Sequence, residues 1–227
     1  MIDTITAQTV GAHVARLTEH GPRQSLDTPL GVGGERLHGW AFATPSFQRM
    51  HGLPVTADGH DEVDERFIVR GDEGIGATVM GRNMFGPVRG PWEATPEGRA
   101  WTGWWGDEPP YHHPVFVLTH HPREPITMKG GTTFHFVTDG PEAALAQAVE
   151  AAAGLDVRIG GGADTVQQYL RAGLVDELHL AIAPVLLGGG ERLFDHLDGG
   201  PAGLDVAEVV PSSTVTHVRL TRTPAWP

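Results

Sequence analysis

From Pro114 to Leu187, apolar runs of strand length alternate with segments of helical period, and that alternation leaves few folds open to the chain. Pro114–Thr119 (PVFVLT) and Thr132–Thr138 (TTFHFVT) read as strands bounded by Gly, Pro or polar clusters. Between Pro141 and Gly154, PEAALAQAVEAAAG carries Ala, Leu and Val at helical spacing, with Pro at the start and Gly at the stop. Leu155–Ile159 then reads as a strand, Asp164–Arg171 as a helix, and Glu177–Leu187 as a long strand interrupted at Pro184. Strands separated by helices require crossover connections, so this half of the chain predicts an α/β fold with a largely parallel sheet.

The flanking regions are less regular. Ile75–Met80 (IGATVM) reads as a short buried strand running into a helix start at Gly81–Phe85 (GRNMF), and Thr214–Thr221 alternates like an edge or meander strand. Gly86–Pro114 is loop-like, yet it holds Trp92, Trp101, Trp104 and Trp105, so it is expected to be an ordered flap. No internal repeat, low-complexity tract or linker divides the 227 residues, and a single domain over 1–227 is expected.

Composition removes several classes of function. With no cysteine, disulfides, thiol nucleophiles, iron–sulfur clusters and cysteine-ligated zinc are excluded, the zinc nucleobase deaminases among them. A net charge of −12 has the wrong sign for broad phosphate-backbone binding, so nucleic acid is not an expected partner, although a local basic pocket can still hold one small anion. The apolar runs fall far short of the roughly 20 residues that cross a bilayer, and the start shows no secretory pattern, so no membrane association and a cytoplasmic location are expected. Thirteen histidines include the pairs His112-His113 and His120-His121, but adjacent side chains diverge and no H-E-x-x-H occurs; no metal is expected.

Three segments concentrate chemistry at predicted strand ends. Arg158-Ile159-Gly160-Gly161-Gly162-Ala163-Asp164-Thr165 runs from a strand through three glycines into a helix start. Its amides could cradle a pyrophosphate, or the glycines could form a tight turn with Asp164 as N-cap. Gly81-Arg82-Asn83-Met84-Phe85 sets a guanidinium beside helix-start amides, and Thr119-His120-His121-Pro122-Arg123 gathers hydroxyl, imidazoles and guanidinium in five residues. Singly, each is compatible with a surface ion pair; jointly, they match the rule that ligands of open α/β sheets bind beyond the carboxyl ends of strands. Neither G-x-G-x-x-G nor a Walker loop occurs.

The combination of GRNMF, VLTHHPR, FHFVTDG and VRIGGGADTVQQYLRAGLVDELHLAIAPVLLGGGERLF resembles the dihydrofolate-reductase-like superfamily, in particular the C-terminal reductase domain of the bifunctional riboflavin-biosynthesis deaminase-reductase. The likeness extends over roughly residues 21–197. It implies a three-layer α/β sandwich with a central mixed, mostly parallel sheet flanked by helices. It also implies a homodimer, NADPH as cofactor, and hydride transfer to a pteridine- or pyrimidine-like heterocycle, with 5-amino-6-(5-phosphoribosylamino)uracil as one such substrate. By the same resemblance Gly81, Arg82, Asn83 and Met84 lie near the cofactor phosphates. Thr119, His120, His121 and Arg123 surround the adenosine 2′-phosphate, and Gly160, Gly161, Gly162, Ala163 and Thr165 lie under the pyrophosphate.

On the substrate side the resemblance points to Asp27, in the loop after the first strand, and Trp40, on a predicted Glu35–Ala43 helix; a turn cap and a core aromatic are the structural alternatives. No residue is assigned as proton donor. The chain departs from the family pattern at Val14–Pro22, where VARLTEHGP keeps only the Gly-Pro end of a first strand that resembles S-L-D-G-x-x-A-G-P. A cofactor-binding protein of the same fold without turnover is therefore the alternative function.

Overall fold

A computed structural model describes residues 5–9, 30, 33–56, 59–186, 190–197 and 203–222, with residues 5–9 placed as backbone. The strands are β1 (Ile5–Thr9), β2 (Ile75–Gly81), β3 (Pro114–Leu118), β4 (Ile126–Thr127), β5 (Thr133–Val137), β6 (Asp156–Ile159), β7 (Glu177–Ile182), β8 (Leu204–Pro211) and β9 (Thr216–Arg222). The helices are α1 (Glu35–Phe42), α2 (Pro45–Met50), α3 (Glu62–Asp72), α4 (Arg82–Phe85), α5 (Pro96–Ala100), α6 (Pro141–Ala152) and α7 (Ala163–Arg171).

All nine strands among the described residues join one sheet in the order β4-β5-β3-β2-β6-β1-β7-β9-β8. The five pairings from β5 to β7 are parallel and the three at the two margins antiparallel, as a mixed, mostly parallel sheet requires. Because side chains alternate along a strand, each strand feeds two layers. Ala77, Val79, Phe116, Val157, Ile159, Leu178 and Leu180 pack under α6 and α7. The opposite face is divided. Met80, Val115, Val117 and Phe134 pack under Phe85 and Trp92, while Ala181 meets Trp40 and Ala41 of α1 and Ile68 of α3.

Local chemistry explains the helix ends. Asp61 caps α3 by accepting from the Val63 amide at 2.8 Å, and Thr95 caps α5 by accepting from the Gly98 amide at 3.0 Å. Pro141 opens α6, whose left-handed terminator is Ala153 (φ 53°) followed by Gly154 rather than Gly154 alone.

Several expectations need adjusting. The first strand lies at Ile5–Thr9, ahead of Val14–Pro22, and takes a central place between β6 and β7. Val14–Pro22 and Asp27 lie outside the described residues. The long strand expected over Glu177–Leu187 ends at Ile182, two residues before Pro184, whose missing N–H cannot serve a ladder. Gly86–Pro114 is not all loop: it contains a 3-10 turn at Trp92–Ala94 and the helix α5. Among the described residues no helix is long and apolar enough to cross a membrane.

Candidate active site

The three strand-end segments come from neighbours, since β2 lies between β3 and β6. The sheet therefore delivers Arg82, Thr119 and Gly160 to one edge. Two backbone bonds stitch the β2 and β6 ends together: the Gly160 amide donates to Val79 O at 2.8 Å, and the Gly81 amide to Gly161 O at 2.7 Å. At Gly81 a Cβ would collide with the Thr165 hydroxyl, so the strand end and the first turn of α7 approach as closely as they do only because that residue is glycine. Gly161 has φ +111°, which an L side chain rarely adopts. A Cβ on Gly160 would press on the Met84 sulfur at 3.2 Å.

The helix α7 starts from Gly162, which supplies no side-chain cap, so its first amides and the positive end of its dipole point to the strand-end edge. Asp164 is not the N-cap; it lies inside the first turn. Gly162 is exposed and a Cβ there would meet nothing within 4 Å. An uncapped helix start behind an open glycine turn suits a phosphate oxygen.

The β2 and β3 ends are joined by Arg82. Its Nη1 donates to Thr119 Oγ1 at 3.1 Å, Nη2 to Gly90 O at 2.6 Å and Nε to Val88 O at 3.2 Å. Arg123 turns back to the flap, with Nη1 donating to Trp101 O at 2.7 Å and Nη2 to Arg99 O at 2.9 Å. Both guanidiniums lie against the buried Trp92 ring, at 3.6 and 5.0 Å from its centroid. Trp92 in turn donates Nε1–H to His121 O at 2.8 Å, which fixes the flap to the loop after β3. Among the described residues neither Arg82 nor Arg123 forms an ion pair. Burial, then the Arg89 and Arg123 charges, lower the Arg82 pKa; burial also lowers that of Arg123, against the pull of Glu93. In a chain of net charge −12, Arg82 thus carries its charge at a cost beside two other guanidiniums, a cost that an anion at this edge would relieve.

Of the residues singled out from the sequence, Gly81, Arg82, Met84, Thr119, Gly160, Gly161, Gly162, Ala163 and Thr165 thus gather at this edge. Asn83 and His120 are exposed and His121 half-buried, and the contribution of His121 to the described contacts is its backbone. Trp40 is 3% exposed and packs with Ala181 and Ala183 at the carboxyl end of β7. Sequence reasoning missed Arg89 and the clamping role of Trp92; the spacing of Arg82, Arg89 and Trp92 across one loop was the available signal. Among the described residues no three His, Asp or Glu side chains gather as a metal-ligand set.

The model of the RibD C-terminal domain family matches residues 47–217. No curated protein sequence matches the chain. Among solved structures, a protein from Shewanella sp. PV-4, described as a candidate riboflavin biosynthesis protein, is 21% identical over 97% of this chain and 97% of its own, with a TM-score of 0.56. Dihydrofolate reductase from Enterococcus faecalis, complexed with NADP(H) and RAB-propyl, is 18% identical over 73% of this chain and 84% of its own, with a TM-score of 0.44. The likeness to the Shewanella protein is one of fold.

Proposed function

This chain belongs to the RibD C-terminal domain family, and on that premise we propose that it is an NADPH-dependent reductase of a pteridine- or pyrimidine-like heterocycle. The observation that carries the reading is the joined edge at the ends of β3, β2 and β6, where an open glycine turn, an uncapped helix start and the guanidinium groups of Arg82 and Arg123 converge. The α7 amides and the Gly160–Gly162 turn accept the pyrophosphate. Arg123, with the Thr119–His121 loop, takes the 2′-phosphate, while Arg82 ties that loop to β2 and adds to the positive field. When bound, NADPH supplies the hydride. The protein's part is to hold both partners in register and exclude water, since hydride transfer depends chiefly on orientation.

The cofactor-side residues fit a dinucleotide, and the Trp-rich flap covers one flank of the same edge. For the acceptor, a neutral heterocycle demands fewer basic groups than a phosphoribosylated one. We read the chain as a homodimer that needs neither metal nor nucleic acid; a monomeric mass in light scattering would refute that assembly.

The test is a titration with NADPH and with NADH followed by tryptophan emission, and then NADPH oxidation across a panel of dihydrofolate, pterins and aminopyrimidines. Saturable binding that favours NADPH, with turnover of one panel member, is the expected result. Binding without any turnover would leave a cofactor-binding protein, and absence of binding would overturn the reductase reading.

A further inference from the structure

The two margins of the sheet end differently. At one, β4 is two residues long; at the other, β8 runs for eight (Leu204–Pro211) and pairs only with β9 among the described residues. A long edge strand offers a row of unpaired backbone N–H and C=O groups to any other chain, and natural sheets blunt such edges by keeping them short or by placing lysine on them. The β4 margin is short. The β8 margin, with the sequence LDVAEVVP, is long and carries no lysine.

Pairing with β9 shows which side chains this edge presents. Val206 stands opposite Leu220 and Val209 opposite Val218, and the bulge at Ala207 brings these two valines, three positions apart, to one face. Leu220 and Val218 pack against the core under α6 and α7, but the helical layer ends before the margin. Val206 is 62% exposed, Val209 57% and, on the same face at the end of β7, Ile182 49%. The reverse face is polar and satisfied: Glu208 accepts from Arg70 and Arg219, Glu177 from Arg219, and Asp176 from Arg222. Two copies of a chain with net charge −12 repel each other on the whole, yet at this margin those acids are matched by arginines of their own chain.

We infer that β8 is the docking edge for a second copy of this chain, the two β8 strands pairing antiparallel about a two-fold axis so that two sheets run on into one. Such pairing uses the same edge of both copies and closes on itself, which a long edge strand needs if it is not to recruit chain after chain. Register follows from faces and charge. With Val206 opposite the partner's Val209, every pair outside the bulge shares a face and four valines gather over the seam. Asp205 then meets the partner's Val210, and Glu208 the partner's Ala207. A slip of two residues in one direction sets Asp205 against the partner's Glu208, acid on acid; a slip of one sets the apolar face against the polar one. The inference rests on the homodimer reading and is independent of cofactor and turnover.

The absence of cysteine makes the edge readable by cross-linking. Opposed residues of an antiparallel pair have Cα atoms about 4.5–5.5 Å apart, within disulfide reach. A mixture of Val206→Cys and Val209→Cys proteins, oxidised at micromolar concentration, is expected to give a covalent heterodimer. Either protein alone should cross-link far less, because like positions then lie about 10 Å apart. Light scattering on the parent should give twice 24.3 kDa. Val206→Glu combined with Val209→Glu is expected to weaken self-association at least about hundredfold, since opposed carboxylates would be desolvated without partners, while the urea midpoint stays near that of the parent. Val69→Glu, at another exposed valine on α3, should leave the dimer intact. Should the double variant fail to fold, the cross-linking decides alone. A monomeric parent fails the homodimer reading and the docking edge with it. A dimeric parent that yields no heterodimer from the mixture, or stays dimeric with Val206→Glu and Val209→Glu, leaves the homodimer standing and overturns β8 as its seam.

Discussion

The Arg82 guanidinium lies 3.6 Å from the centre of the Trp92 ring, and this contact joins the end of β2 to the flap that follows it. Trp92 is 2% exposed, stacks edge-on with Phe85 and Phe136, and anchors the loop after β3 through His121. Trp92→Ala therefore removes packing, a cation–π partner and a hydrogen bond together. A loss of about 3–5 kcal/mol in urea unfolding is expected, and a loss below about 1 kcal/mol would show that the flap is not anchored there.

Gly81→Ala should destabilise the protein and weaken NADPH binding, because its methyl group meets the Thr165 hydroxyl. Adding Thr165→Ala should recover a measurable part of the stability, read as a coupling of about 0.5–3 kcal/mol in a double-mutant cycle. Strictly additive losses would mean that the two segments do not touch.

Arg123→Ala is expected to weaken NADPH binding about tenfold or more and to leave NADH binding nearly unchanged, as befits loss of one charge-assisted contact to a phosphate. Emission titrations with the two nucleotides decide this. Equal weakening of both would assign Arg123 to the Trp101 and Arg99 carbonyls it already binds, and to flap structure alone.

Acid should destabilise the fold before its carboxylates titrate. Burial holds His179 at a pKa of about 3 and His113 at about 4, both below the ordinary histidine value of 6.5. The unfolded chain therefore binds more protons than the native one between these values. Stability is complete above about pH 6.5 and falls as pH drops toward 4, with His179 alone worth about 2 kcal/mol at pH 5. Urea midpoints measured from pH 8 to 4.5 should show that decline; a flat profile above pH 5 would contradict it, and His113→Asn should flatten it in part, since His113 meets Thr78 Oγ1 at 2.8 Å.

The legible parts of the chain were those whose signal is local. Apolar runs of strand length between Gly, Pro or polar boundaries marked β3 and β5, a period near 3.6 with Pro and Gly at its ends marked α6, and the glycine run before Ala163 marked the turn into α7, because these patterns depend on backbone geometry within a few residues. Even the grouping of three strand-end segments could be reasoned out, since parallel strands must all present the same ends to one edge. Tertiary structure alone decided that β1, with the short polar sequence ITAQT, lies between β6 and β7, and that β8 pairs with β9. It alone turned Arg82 and Arg123 onto Trp92, and brought Asp64 to His217 across 153 residues of sequence and His179 to His217 across 38. A side chain's own sequence neighbourhood carries its periodicity but not the identity of the group it will meet once the strands have ordered themselves, and the buried contacts of Asp64, His217 and His179 and the cation cluster are both made of such meetings.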